Sequence, residues 1–459
     1  MSENIEDNPA LAHTHLAGIE KRVINKLFAR IIVFFFILYL FAFLDRINIS
    51  FAGLTMGQSL GLTATEFSIA ASLCYVMYAV MGVPSNMILG YTGAKRLLGT
   101  IMAGWGIAST CTMFAQGAIS LYILRGLVGI FEAGFLPAIL VYLTYWFPAY
   151  YRARANALFM IALPMTMVLG SIISGYILEM DGVWDLEGWQ WLFLLEGVPC
   201  VLLGLAVFVV LSDKPEDAKW LDDEERATLK RMMEEDHLEL VQPGGSKSLT
   251  AADPAHLSQK GVLAEVFSPV IIGYILVYFF MANSLAAVSI WGPQLVKSFT
   301  GDLPPSIIGL LFAIPSFCTV VWMVLWCRSS DLRQERKMHS ILLYVIGAIG
   351  WVMISMEGHS YVQLFGLCIA SSCVFTALAL FWTTPDQNLS ERSKALGIAV
   401  INTLGSGVGS ACGPMIIGIL FDMTQTHIYS YYTMGAMLLV SAVIFIFIPM
   451  KRSRPRASG

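Results

Sequence analysis

Residues 29–55 read ARIIVFFFILYLFAFLDRINISFAGLT, and the length and character of this stretch decide the fold. An α-helix needs about 20 mainly apolar residues to cross a bilayer. This run supplies them, with Asp45, Arg46 and Asn48 as its polar interruptions. Working outward, comparable runs recur near 65–90, 97–116, 119–147, 154–179, 190–211, 268–296, 305–327, 338–356, 361–384, 395–422 and 429–450. The pattern predicts an all-α polytopic membrane protein with twelve transmembrane helices. Composition points the same way: 57% of the 459 residues are hydrophobic and 13% charged, too little polar surface to close a water-soluble globule. The formal net charge of -4 gives no reason to expect a nucleic-acid partner.

Charge fixes the expected topology. Threading the chain through twelve spans puts 25 of its 28 Lys and Arg residues on one side. That side carries Lys21, Arg22, Lys26 and Arg30 before the first span, the basic turns at Lys95-Arg96, Arg152 to Arg154, Arg328 to Lys337 and Arg392 to Lys394, and the tail from Lys451 to Arg456. Cytoplasmic segments are enriched in Lys and Arg, so both termini are expected in the cytoplasm. Lys297 falls outside, and Arg46 and Arg125 fall within apolar segments. A residue range of 212–267, rich in Asp and Glu and then Pro243-Gly-Gly245, divides the chain into a tail (1–28), a six-helix bundle (29–211), a central loop (212–267), a second six-helix bundle (268–450) and a tail (451–459). Residues 1–18 are polar with no signal-peptide pattern, and a disordered tail is expected there. In the loop, Leu221, Thr228, Leu229 and Met232 among charges suggest either a short amphipathic helix on the cytoplasmic face or a solvated linker. The eight cysteines lie in or beside apolar runs and read as packing residues without disulfides.

The chemistry concentrates in a few intramembrane polar groups. A charge at the centre of a spanning helix costs about 2.5 to 3.5 kcal/mol on insertion scales, so such residues need a partner or a polar cavity. The first span brings Asp45, Arg46 and Asn48 within one helical turn, and the fourth carries Arg125 and Glu132 seven residues apart on one helical face. These groups either form salt bridges that fix packing or serve a transport function, and the functional reading is favoured. Buried carboxylates such as Asp45 and Glu132 are candidate proton carriers. No histidine falls within a span interior, which leaves that role to carboxylates; Glu196, placed near the outer side of the sixth span, is a second choice. Tyr75, Tyr78, Tyr274, Tyr278, Asn283, Trp382 and Asn402 are further polar or aromatic candidates, each of which could equally be a packing residue or interfacial anchor. Gly126, Gly129 and Gly134 read as close-packing residues.

Several motifs occur in order along nearly the whole chain: Leu44-Asp45-Arg46-Ile-Asn48-Ile, Phe131-Glu132-Ala-Gly134, Trp146-Phe147-Pro148 before Arg152-Ala-Arg154-Ala, and Ile401-Asn402 before Gly409 and Pro414. Together they resemble the anion:cation symporter branch of the major facilitator superfamily. Within that branch, residues 51–57, 105–114, 152–161 and 188–197 are similar to bacterial 4-hydroxyphenylacetate permeases. The resemblance implies the two-bundle major facilitator fold in a bacterial inner membrane, a monomer, and proton-coupled import of a small organic anion, 4-hydroxyphenylacetate or a related aromatic acid. It implies that Arg46 meets the substrate carboxylate, that Asp45 and Glu132 couple protons, and that Tyr78, Leu163, Trp382 and Asn402 line the pocket. Arg125 is implied to pair with carboxylates during gating. The chain departs from the superfamily motif at Gly90, where an acidic residue is usual, so an inner gate would lean on Asp331 and Arg333. It also has Leu163 where sugar-acid carriers often have glutamine, which makes that wall apolar. A hexonate- or tartrate-type proton symporter is the alternative.

Neither an enzyme nor a cofactor is expected. The spans hold no nucleophile with its base and no His/Cys cluster, and the chain has no G-x-x-x-x-G-K-[ST] loop for ATP. A receptor-like nutrient sensor and a drug-exporting antiporter are rival readings; the antiporter is disfavoured because Arg46 suits a carboxylate better than a cation.

Overall fold

The computed structural model describes residues 9–241, 265–390 and 393–450. Twelve helices within these residues are long and apolar enough to cross a membrane: Gly18–Ala52, Ala64–Thr92, Ala94–Phe114, Ala118–Trp146, Tyr150–Leu178, Gly188–Val210, Pro269–Thr300, Pro305–Arg333, Lys337–Ile354, Ser360–Phe381, Leu396–Thr424 and Ile428–Phe447. They are called here the first to the twelfth span. Each overlaps its expected run. Most N-terminal ends lie a little outward of the expected runs, where helices start at their natural caps, and most C-terminal ends stop a little short of them: the second starts at the Thr63 capping box with Glu66, and Gly93 at φ +78° forms the turn into the third.

Apolar side chains face two ways, as a lipid-embedded protein requires. Val209 (85% exposed), Ile119 and Val324 look outward, while Trp105, Trp146, Trp189 and Trp351 are fully buried. One buried core gathers side chains of the first six spans, and a second draws mainly on the last six. The fifth span packs on the eighth and the second on the eleventh, so the two sets of six meet along two seams.

The ends of these seams differ. At the end away from the basic segments, Ala64 and Thr65 donate backbone hydrogen bonds to Asp422, Ser306 donates to Glu179, and Lys297 donates to the Leu54 carbonyl at 3.3 Å. Midway, Gly407 of the eleventh span touches Ala79 of the second. Nearer the basic end, Val83 and Met87, on the same face as Ala79, are exposed, as are Asn402, Thr403 and Leu404 opposite. These hydrogen bonds close the molecule at one end, while near the other the side chains named are exposed.

Two expectations need correction. Residues from Pro9 onward are helical rather than a disordered tail. Ile19, Val23, Ile24 and Leu27 are buried there because this helix packs on a loop helix, Asp223–Val241, whose Leu229 is buried in turn. Ion pairs Lys26–Glu225 and Arg231–Glu20 fasten the contact, and Arg152–Asp236 ties the loop helix to the fifth span. Thr228, Leu229 and Met232 of the loop segment therefore lie on a helix, with Leu221 buried in the bend before it, and the segment spends its apolar side chains on protein rather than on a membrane surface. Residues 1–8, 242–264, 391–392 and 451–459, with parts of the expected tails and central loop, lie outside the described residues.

Candidate functional site

The first span enters the middle of the protein as an unbroken helix through Ala52, and successive residues on it point about 100° apart. Asp45 and Arg46 are thereby sent to different partners. Asp45 is fully buried and accepts hydrogen bonds from Asn48 at 2.9 Å and from Trp105 and Ser109 of the third span. Three donors of this kind satisfy a carboxylate whose burial would otherwise be costly. Arg46 turns the other way and forms an ion pair with Glu132 of the fourth span. Glu132 also accepts from the Cys74 thiol at 3.7 Å. Glu132 thus has a partner in the guanidinium of the first span, an interhelical salt bridge of the kind the sequence left open.

Arg46 keeps 34% of its side chain exposed, whereas Glu132 behind it is buried. Its guanidinium lies 4.8 Å from the centre of the Phe43 ring and 6.0 Å from that of Tyr78, within range for cation–π attraction. The fourth span breaks immediately after Glu132, at Ala133–Gly134, before resuming as Phe135–Trp146. Gly129 lets the second span approach; a Cβ there would stand 2.2 Å from the Cys74 carbonyl oxygen.

The last six spans supply the facing wall. Tyr278 is packed edge-on against Trp382 with ring centres 5.4 Å apart, and its hydroxyl lies within reach of Ser406. Tyr78 sits near enough to interact electrostatically with Tyr278, which brings the two walls together. Asn402 lies exposed on a π-helical segment, Ile401–Gly407, of the eleventh span. Such wide turns free backbone groups and often mark functional positions. Gly405 in this turn packs on Tyr278, where a Cβ would come within 2.8 Å of the ring's Cβ. Leu163 is half-buried against the core of the first six spans.

Asp331 and Arg333 lie apart from this centre, while Arg125 and Glu196 are near enough to interact electrostatically with Asp45. Arg125 is buried, and its Nε and Nη1 have no hydrogen-bond partner among the described residues, although its charge reaches Asp45. Asp331 pairs with Arg336, not with Arg333, at the exposed basic end. Arg333 instead borders a cavity of about 520 Å³ with Trp326, Glu335 and His339. Glu196 is not interfacial: it is 1% exposed and accepts from Ser174 at 2.9 Å, because its helix turns that face toward the fifth span. Sequence reasoning missed Trp105, Ser109 and Ser174 as carboxylate partners, since a lone Trp or Ser in an apolar run carries no signal of its contacts. Among the described residues no group of His, Cys, Asp and Glu is arranged to hold a metal.

A two-walled, centrally placed polar site between six-helix sets in a bilayer is the architecture of a membrane transporter. Residues 35–406 match the Major Facilitator Superfamily, and the chain belongs to that family. It is 39% identical over 439 residues to a protein of Agrobacterium vitis named "Putative tartrate transporter", covering 96% of this chain and 93% of that one. It is 35% identical to "Putative metabolite transport protein NicT" of Pseudomonas putida, covering 97% and 98%. Among solved structures, a D-xylose-proton symporter superposes with a TM-score of 0.71 at 16% identity, covering 92% and 98%, which speaks for the fold alone.

Proposed function

We propose that this protein is a proton-coupled symporter that brings a small organic anion into a bacterial cell through alternating access of its two six-helix sets. The observation that carries the reading is the Arg46–Glu132 ion pair, with Glu132 buried and the Arg46 side chain partly exposed beside aromatic rings. A guanidinium already holding a carboxylate is suited to exchange it for another. In this scheme a proton taken up by Glu132 releases Arg46, the substrate carboxylate takes the vacated place, and loss of both the substrate and the Glu132 proton on the far side restores the internal pair. Neither anion nor proton then moves productively without the other. Asp45 is the second carboxylate proposed to take part, and Arg125, with two unsatisfied nitrogens, is a waiting partner for Glu132 or Asp45 when Arg46 is occupied.

The positive-inside rule favours a cytoplasmic position for the end opposite those hydrogen bonds, and in this reading the conformation is inward-facing, with Asp331 and Arg333 at the open gate. The domain limits proposed from sequence follow the same division, with the central loop on the cytoplasmic side, and the carrier acts as a monomer in the inner membrane.

The aryl substrate is favoured by the walls. Phe43, Tyr78, Tyr278 and Trp382 offer ring faces and edges, and Leu163 offers no hydrogen bond, whereas each unpaired hydroxyl of a polyol acid would cost about 1 to 3 kcal/mol. Arg46 would hold the carboxylate of 4-hydroxyphenylacetate and Asn402 would meet its phenol. The relative named for tartrate supports a second reading, a short hydroxy-diacid, for which Asn402, Ser406 and Tyr78 would serve the hydroxyls. Uptake into proteoliposomes under an imposed pH gradient tests both. Accumulation of labelled 4-hydroxyphenylacetate, inhibited weakly by tartrate, is expected; the reverse order selects the diacid, and no gradient-driven uptake of either rejects the proposal.

A further inference from the structure

At the closed end the same contact is made twice. The fifth span ends at Leu178, and its C-cap residue Glu179 accepts from the backbone N–H of Ser306 at 3.3 Å and from the Ser306 hydroxyl, in the first turn of the eighth span. The eleventh span carries Asp422 in its last turn, and Asp422 accepts from the backbone N–H groups of Ala64 at 3.2 Å and Thr65 at 2.8 Å, in the first turn of the second span. The fifth helix of each six thus caps the second helix of the other six. The first N–H groups of a helix lack internal partners and carry partial positive charge, so a carboxylate there is attracted by hydrogen bonds and helix dipole together.

A second feature shows that both seams are built for close contact at this level. A Cβ on Gly309 would stand 2.4 Å from the Ser171 carbonyl oxygen, and one on Gly418 would stand 2.5 Å from the Ala64 carbonyl oxygen. Backbone meets backbone beside each carboxylate. Opening this end must break both contacts, since each joins elements that have to separate.

We infer that Glu179 and Asp422 form a pair of latches that hold the molecule closed at this end and set its balance against the form open there. This rests on the transport reading only in that the two six-helix sets separate. Each latch spans one seam, so neutralising either weakens the closed form by a similar factor, and neutralising both multiplies the effects. A carboxylate at a helix N-terminus commonly contributes a factor of about 2 to 5 in such an equilibrium.

Hydrogen–deuterium exchange of the full chain in lipid nanodiscs tests it with Glu179→Gln, Asp422→Asn and the double variant. Amides at residues 64, 65 and 306 lose an acceptor directly, so the decisive readout is the opposite, basic end. There, exchange in residues 80–92 and 396–404 is expected to slow by about 2- to 5-fold in each single variant, and further in the double one, as the population closed at that end grows. Ala64→Pro attacks one latch from the helix side with Asp422 intact; proline is tolerated at a first helical position and lacks the N–H. It should shift exchange in the same direction. Glu187→Gln, which removes a charge at the same end but caps its own helix, should leave the basic end unchanged. Faster exchange confined to the mutated end, with the basic end unaltered, would make the carboxylates local caps and overturn the inference, as would an equal shift in Glu187→Gln. The same shift in a protein that moves none of the offered acids in proteoliposomes would keep the latches and reject the transport reading instead.

Discussion

Arg46 holds Glu132 through a planar guanidinium whose geometry suits carboxylates, and lysine keeps the charge but not the fork. Arg46→Lys is expected to lower apparent substrate affinity by about tenfold or more, the worth of a charge-assisted hydrogen bond; uptake kinetics in proteoliposomes check it, and near-native affinity would remove Arg46 from the site. Glu132→Gln mimics the protonated residue and leaves Arg46 unpaired by a charge. This variant should exchange labelled for unlabelled substrate yet fail to accumulate it against a gradient, and retained uphill accumulation would end its coupling role. Asp45 differs in being wrapped by donors. Trp105→Phe deletes one of them, so a loss of roughly 1 to 3 kcal/mol of stability is expected in thermal unfolding, with the Arg46–Glu132 pair unaffected. The residue types at positions 45, 46, 125 and 132 announced themselves in the sequence because charge is expensive in a bilayer. Their pairings did not, because one helical turn leaves several faces open.

The elements carry a different kind of information. Helix length and apolar content located all twelve spans, and Gly129 shows how one element tolerates another: the Cys74 backbone that a methyl group would strike cannot move aside as a side chain does. Gly129→Ala should therefore destabilise the second and fourth spans against each other by about 1 to 3 kcal/mol, read as a lower midpoint of thermal unfolding in detergent, while Gly117→Ala, with open space around it, should change little. The loop helix Asp223–Val241 depends on the helix that precedes the first span. Leu229→Ala removes a fully buried side chain from that contact and is expected to expose the loop to limited proteolysis without altering the transmembrane core. Sequence patterning offered that segment as helix or linker with equal force, since four apolar residues among charges do not say whether a partner helix is waiting. The same holds for Pro9 onward, where polar residues near the terminus hid a helix that tertiary contact supports.

For the whole molecule the asymmetry between its ends is what matters for transport. Val83 is exposed toward the basic end on the same helical face as Ala79, so if the two sets part there a cysteine at this position should react with a membrane-impermeant maleimide from the basic side, and saturating substrate should slow the reaction as the helices close over it. A rate indifferent to every substrate offered would argue against occlusion at this end. By itself the sequence determined the class of this protein: runs of about 20 apolar residues leave only membrane-spanning helices, the basic residues gather on one side, and the few intramembrane charges mark the functional region. Those are properties of composition along a line. The tertiary structure alone decided that Arg46 meets Glu132 while Asp45 meets Trp105 and Ser109, that Glu196 faces inward, and that Glu179 and Asp422 reach across the seams. Each of these joins residues far apart in the chain, and only the packing of helices on one another fixes which face of each is turned to which neighbour.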